Sequence, residues 1–127
     1  MAAILLLEPD MVLAQTYQAA LEQAGHQVWW RQEAQTALDV LDDQPIDLII
    51  LELQLADHNG VEFLHEIRSY PDWDELPVLL HSSLPQVPAS LGQKFWPQLG
   101  IAGYLYKPHA SLARLRQTVD QLVTQQA

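Results

Sequence analysis

Residues 47–60 read DLIILELQLADHNG, and this stretch decides the fold of the 127-residue chain. The continuous apolar run at 48–51 is typical of a strand that is buried on both faces of a parallel sheet. Glu52 follows where that strand should end, and Gly60 closes a polar turn before a helical pattern begins. Open α/β sheets build their ligand sites at the carboxyl ends of strands, so Glu52 is the first candidate functional residue.

Strand and helix patterns alternate along the whole chain. Apolar runs predict strands at 4–7, 26–31, 48–51, 78–80 and 102–106, and apolar residues at helical spacing follow each of them. The helix after the fourth strand is the least regular, because Pro88 and Pro97 limit it to one to three turns. Five alternations without a linker predict one domain over 1–127, with a parallel sheet between two layers of helices.

Composition narrows the functional classes. The chain has no cysteine, which excludes disulfides and thiolate chemistry. Its formal net charge is −10, and it has only six Lys and Arg residues. Nucleic acids and anionic membranes are bound through Lys and Arg, so neither is an expected partner. The first residues have no basic segment and no apolar run of membrane-spanning length, so we expect a soluble, cytoplasmic protein.

Acidic, hydroxyl and amine side chains leave four of the predicted strands at their carboxyl ends, which parallel strands bring to one edge of the sheet. They are Glu8 and Asp10 after the first strand, Glu52 after the third, Ser82 after the fourth and Lys107 after the fifth. Clustered carboxylates suit Mg²⁺, and a hydroxyl and an ammonium suit phosphate oxygens. These groups together could handle a phosphoryl group on a carboxylate. The alternative is structural: an ion pair between Glu52 and Lys107, with Ser82 only ending its strand.

Four motifs in order resemble the receiver domain of response regulators in two-component signalling. They are ILLLEPD at 4–10, DLIILELQLADHNGVEFL at 47–64, LPVLLHSS at 76–83 and GYLYKP at 103–108. The resemblance covers nearly the whole chain. It implies a flavodoxin-like (βα)5 three-layer sandwich, with a five-stranded parallel sheet in the order 2-1-3-4-5.

The resemblance also assigns roles to residues of the switch. Lys107 matches the lysine that binds the phosphoryl group, and Pro108 matches a proline that is usually preceded by a cis bond. Ser82 matches the hydroxyl residue that moves toward the phosphoryl group. Tyr104 matches the aromatic residue whose rotamer is coupled to that movement.

The metal and phosphoacceptor positions match less well. Glu8 and Gln54 match two magnesium positions, the latter through its backbone carbonyl, but Glu52 stands where the family has the phosphoacceptor aspartate. Pro9 replaces the second acidic ligand, and Asp10 beside it is expected to cap the first helix rather than to bind metal. No cofactor is therefore required, and Mg²⁺ binding at Glu8, Glu52 and Gln54 is predicted to be weak.

These departures predict a pseudo-receiver with little or no phosphorylation. The extra methylene of Glu52 advances its carboxylate by about 1 Å, and misplacement on that scale can cost about a hundredfold in rate. A second hypothesis gives the longer side chain a positive role. Glu52 could accept hydrogen bonds from Lys107 and Ser82 and hold an active-like state without a phosphoryl group.

The resemblance further implies a protein-binding module rather than an enzyme. The expected partner is a histidine kinase or a downstream signalling protein. Binding or homodimer formation would use the face of the fourth helix, fifth strand and last helix, which carries Phe95, Trp96, Tyr104 and Tyr106. Two alternatives stay open: a working receiver that a histidine kinase phosphorylates inefficiently, and a flavodoxin-like cofactor binder or small hydrolase on the same fold.

Overall fold

The computed structural model describes residues 2–55, 59–85 and 99–126. Five parallel strands form one sheet in the order β2-β1-β3-β4-β5. The strands are β1 (Ala3–Leu7), β2 (Gln27–Arg31), β3 (Leu48–Leu51), β4 (Val78–Ser82) and β5 (Ile101–Tyr106). The described helices are α1 (Met11–Gln23), α2 (Ala34–Asp43), α3 (Gly60–Arg68) and α4 (Leu112–Gln126). The strand order confirms the prediction, while the predicted helix between Pro88 and Pro97 lies outside the described residues.

The sheet is buried on both faces. In β3, Leu48 and Ile50 face the layer that contains α1 and α4, whereas Ile49 and Leu51 face the layer that contains α2 and α3. All four side chains are buried, which explains why this strand is continuously apolar instead of alternating. No helix within the described part of the chain is long and apolar enough to cross a membrane.

Three helices begin with side-chain caps. The carboxylate of Asp10 accepts a hydrogen bond from the backbone N–H of Leu13 at 3.0 Å, which confirms its predicted role at the start of α1. Asn59 caps α3 in the same way, and the hydroxyl of Ser111 accepts from the N–H of Arg114 at 3.1 Å at the start of α4. Because helices follow parallel strands, these starts lie at the carboxyl edge of the sheet.

Gly60 closes the loop after β3. Its N–H donates to the carbonyl of Leu53 at 2.7 Å, and a Cβ at this position would lie only 2.7 Å from the Leu53 Cα. Only glycine permits so close an approach of two backbones. The loop therefore folds back on the first turn of α3, which keeps the residues after Glu52 at the edge of the sheet.

The opposite end of the sheet is fixed by Arg68. This half-buried guanidinium donates to the carbonyls of Leu99 at 2.7 Å, Trp73 at 2.5 Å and Leu76 at 2.5 Å, with a longer contact to Gly100 at 3.5 Å. One side chain thus joins the end of α3 to the loop before β4 and to the residues that lead into β5.

Candidate functional site

Glu52 lies at the centre of the candidate site, directly after β3. Its side chain is only 3% exposed, and its carboxylate accepts four hydrogen bonds. Oε2 accepts from the Ser82 hydroxyl at 2.6 Å and from the Gln54 N–H at 3.1 Å. Oε1 accepts from the Lys107 ammonium at 2.7 Å and from the Ser83 N–H at 3.0 Å. Each oxygen thus has two donors, and the buried carboxylate is fully hydrogen-bonded.

Glu52 and Lys107 form a charged pair. Burial raises the pKa of Glu52, but the hydrogen bonds from Lys107, Ser82 and the Gln54 N–H outweigh it and hold the pKa below its usual value. Burial lowers the pKa of Lys107, but the two carboxylates that accept from it, those of Glu52 and Glu8, hold the pKa above its usual value. Both groups are therefore ionised at neutral pH.

The Lys107 ammonium also contacts the acid that follows β1. Its Nζ lies 2.6 Å from Oε1 of Glu8, a side chain that is 2% exposed. The second oxygen of Glu8 accepts from the N–H of Asp10 at 3.0 Å, and the Glu8 carbonyl accepts from the indole N–H of Trp30 at 2.9 Å. Lys107 therefore lies between two buried carboxylates and neutralises one of their two charges.

This arrangement disfavours a magnesium ion, because the Lys107 ammonium contacts both carboxylates. Every carboxylate oxygen of Glu8 and Glu52 already accepts from a protein donor, and Pro9 has no side-chain oxygen. Gln54, whose backbone carbonyl is the third predicted ligand, gives its N–H to Glu52. No group of three or more His, Asp or Glu side chains that could hold a metal occurs within the described ranges. The ammonium lies between the carboxylates where a cation would have to bind.

The switch residues are linked to the same carboxylate. The Ser82 hydroxyl donates to Glu52 and accepts from the N–H of Leu84 at 3.1 Å. The hydroxyl of Tyr104 donates to the carbonyl of Leu84, and its ring packs against the apolar cluster on the α2 and α3 side of the sheet. Burial raises the pKa of Tyr104. A continuous chain of contacts therefore runs from Glu52 through Ser82 and Leu84 to Tyr104.

His81 points to the other face of the sheet, as strand alternation predicts. Its ring lies edge-on to the ring of Tyr17 with centroids 4.8 Å apart, and it is 2% exposed. Burial, with a further contribution from the Lys107 charge, lowers the pKa of His81 to about 4. It therefore packs as a neutral side chain against α1.

The predicted interaction face is described only in part. Phe95 and Trp96 lie outside the described residues. Tyr106 is partly exposed, and its ring contacts the ring of His109 with centroids 4.8 Å apart. The cis bond that the resemblance implied before Pro108 is wrong for this structure, in which all described peptide bonds are trans. Residues Lys107–His109 instead form a short 3-10 turn that accommodates this proline.

One residue at the site had no predicted role. Ser83 gives its backbone N–H to Glu52 and its hydroxyl to the side-chain oxygen of Gln54 at 2.6 Å. Alternation along a strand would turn Ser83 away from Ser82, but β4 ends at Ser82, so this rule does not apply to the next residue. The adjacent serines at the end of β4 were the sequence feature that could have indicated a role for Ser83.

Comparison with known proteins identifies the family. The profile of the family described as "Response regulator receiver domain" matches residues 4–120. The alginate biosynthesis transcriptional regulatory protein AlgB of Pseudomonas putida is 28% identical over 124 residues, which are 97% of this chain and 26% of that protein. The transcriptional regulatory protein CpxR of Escherichia coli K12 is 32% identical over 108 residues, which are 85% of this chain and 44% of that protein.

Among solved structures, the non-phosphorylated HemR receiver domain from Leptospira biflexa superposes with a TM-score of 0.84 at 26% identity. The superposition covers 98% of this chain and 95% of that one. The chain belongs to the response regulator receiver domain family. It is thus a receiver domain of two-component signalling, and it spans about a quarter to a half of the length of the two curated relatives.

Proposed function

We propose that this receiver signals by protein–protein interaction without being phosphorylated, because Glu52 takes the place of the phosphoryl group. The observation that carries the proposal is the set of four hydrogen bonds that Glu52 accepts. Two of the donors, Ser82 and Lys107, match the family residues that bind a phosphoryl group. Here the carboxylate itself engages both of them.

The same contacts argue against phosphoryl transfer to Glu52. A phosphoryl donor must approach an unprotected carboxylate oxygen, and a metal ion normally offsets the charge of the incoming group. Both Glu52 oxygens are hydrogen-bonded and the side chain is buried, while Lys107 already lies between the acids. The proposal therefore includes weak Mg²⁺ binding and a binding role rather than an enzymatic one.

The active-like part of the proposal rests on Ser82 and Tyr104. In the family, movement of the hydroxyl residue toward the phosphoryl group is coupled to the rotamer of the aromatic residue. The Ser82 hydroxyl lies 2.6 Å from Glu52, and the partly buried Tyr104 ring packs against the cluster on the α2 and α3 side with its hydroxyl on the Leu84 carbonyl. Both positions are consistent with a receiver held in its signalling arrangement.

We further propose that the partner is a cytoplasmic protein, either a histidine kinase or a downstream signalling protein. Binding would use the face that includes β5 and α4, where Tyr106 and Leu112 are at least partly exposed. A homodimer through this face is a second possibility within the same proposal. Sedimentation of the chain at increasing concentration separates the two, because only a homodimer changes mass without another protein present.

Phosphorylation is tested with acetyl phosphate and Mg²⁺, followed by intact-mass measurement. We expect no added phosphoryl mass on the native chain. A Pro9→Asp, Glu52→Asp double variant, which restores both family residues, should gain it, and Pro9→Asp alone is the matched control. A phosphoryl group on Glu52 of the native chain in good yield would instead support the alternative of an inefficient but working receiver.

The active-like state is tested with Glu52→Gln in protein labelled with 3-fluorotyrosine. The chain has four tyrosines, so four fluorine signals are expected and that of Tyr104 can be assigned by substitution. We expect the Tyr104 signal to shift in the variant, because Ser82 and Lys107 lose a charged acceptor. An unchanged Tyr104 signal, together with unchanged partner binding, would show that Glu52 does not hold the switch.

A further inference from the structure

We propose that the side chains of Gln54 and Ser83 form a latch that holds the Glu52 carboxylate in its closed arrangement. The inference deepens the proposed function and rests on it, because it assigns the closing of the site to two residues outside the family's switch. Gln54 and Ser83 are positioning residues in this sense, since each acts through the position of Glu52.

The latch closes a ring of contacts around the carboxylate. The Gln54 N–H donates to Oε2 of Glu52 at 3.1 Å, and the Ser83 N–H donates to Oε1 at 3.0 Å. Outside these donors, the Ser83 hydroxyl donates to the side-chain oxygen of Gln54 at 2.6 Å. The two backbone donors that approach the carboxylate from different strands are therefore tied to each other.

The location of the latch explains why it is needed. Gln54 follows β3 and Ser83 follows β4, so neither N–H belongs to the strand pairing that ends at Leu51 and Leu80. Both residues are exposed, whereas Glu52 between them is 3% exposed. The hydrogen bond between Ser83 and Gln54 thus adds to the contacts of Glu52 a further link between two loops that the sheet itself does not hold together.

The latch also bears on Tyr104. Leu84 directly follows Ser83, and its carbonyl accepts from the Tyr104 hydroxyl. Its N–H donates to the Ser82 hydroxyl at 3.1 Å. Loss of the Ser83 hydrogen bond would therefore loosen Leu84, whose backbone is hydrogen-bonded to both Ser82 and Tyr104. The access of reagents to Glu52 and the position of Tyr104 can be measured separately.

The experiment measures how fast a water-soluble carbodiimide with an amine modifies Glu52, by peptide mass. Loss of one hydrogen bond between exposed groups should raise the rate in Ser83→Ala about two- to fivefold. Gln54→Ala should give the same increase, and the double variant should show no more than either single one, because each removes the same bond. Ser83→Thr keeps the hydroxyl and should restore the native rate.

Ser69→Ala is the control, because its hydroxyl donates to the Glu66 carbonyl at 2.6 Å on an exposed turn away from the site. The Tyr104 fluorine signal should broaden or shift in Ser83→Ala and not in Ser69→Ala. Additive rates in the double variant, or no rescue by threonine, would overturn the latch. Such a result would leave the proposed function intact if acetyl phosphate still fails to modify Glu52, so the two failures are distinguishable.

Discussion

Replacement of Glu52 by glutamine changes one charged oxygen to an NH2 group and leaves the length of the side chain unchanged. Whichever way the amide is oriented, its NH2 group faces two donors, either Ser82 and the Gln54 N–H or Lys107 and the Ser83 N–H. The Ser82 hydroxyl can rotate to accept, but a backbone N–H cannot. The variant therefore leaves at least one partly buried donor without its carboxylate acceptor.

The expected loss of stability in Glu52→Gln follows from the ion pair between Glu52 and Lys107. Removal of one partner of a buried pair typically costs about 3–5 kcal/mol, and Lys107 keeps Glu8 as a second partner, so we expect a loss of about 2–4 kcal/mol. Urea unfolding should show this as a fall in the midpoint of about 1–3 M at an ordinary denaturant slope. Glu66→Gln makes the same chemical change on the exposed face of α3 and should alter the free energy of unfolding by less than about 0.5 kcal/mol. Equal midpoints for the native chain and Glu52→Gln would refute the view that this carboxylate is a central part of the fold.

Three further predictions concern residues outside the Glu52 hydrogen-bond network. The pKa of His81 is about 4 in the folded protein against an ordinary value of 6.5. Its contribution to the free energy of unfolding is therefore complete above pH 6.5 and is lost as the pH falls toward 4. His81→Gln should remove about 3 kcal/mol of the acid-induced loss of stability, seen as a flatter plot of unfolding free energy against pH; an unchanged slope would contradict the assigned burial. Gly60→Ala should lower the melting temperature despite a helix-propensity gain of roughly 1 kcal/mol, because its Cβ would meet the Leu53 backbone at 2.7 Å; a more stable variant would show that the loop yields easily. Arg68→Lys keeps the charge but loses the planar set of donors, so thermal unfolding should report a loss of about 2–3 kcal/mol, whereas a loss near zero would mean that the carbonyls are satisfied without it.

The fold could be predicted because its signals are local and repeated. The apolar run at 48–51, the helix stripes and the cap at Asp10 each need only neighbouring residues to be interpreted. Strand ends then place Glu8, Glu52, Ser82 and Lys107 at one edge. The order of the strands came from the resemblance, since periodicity alone does not fix which strands are neighbours.

The details of the site could not be predicted in the same way. Whether Lys107 pairs with Glu8, with Glu52 or with both depends on distances of a few ångströms between side chains from three strands. The role of Ser83 depends on how the backbone turns after β4, where strand alternation no longer applies. The peptide bond before Pro108 likewise follows from the turn that it occupies and not from the sequence at that position.

The four hydrogen bonds that Glu52 accepts bear on how long a signal from this domain lasts. A phosphoryl group on a carboxylate is a temporary mark, since water removes it and the signal then ends. Glu52 is part of the chain, and no hydrolysis returns it to an earlier state. If Glu52 holds the signalling arrangement as proposed, the arrangement lasts as long as the protein does. The signal would then begin with synthesis of the protein and end with its degradation or dilution, so the amount of protein in the cell would set the strength of the signal.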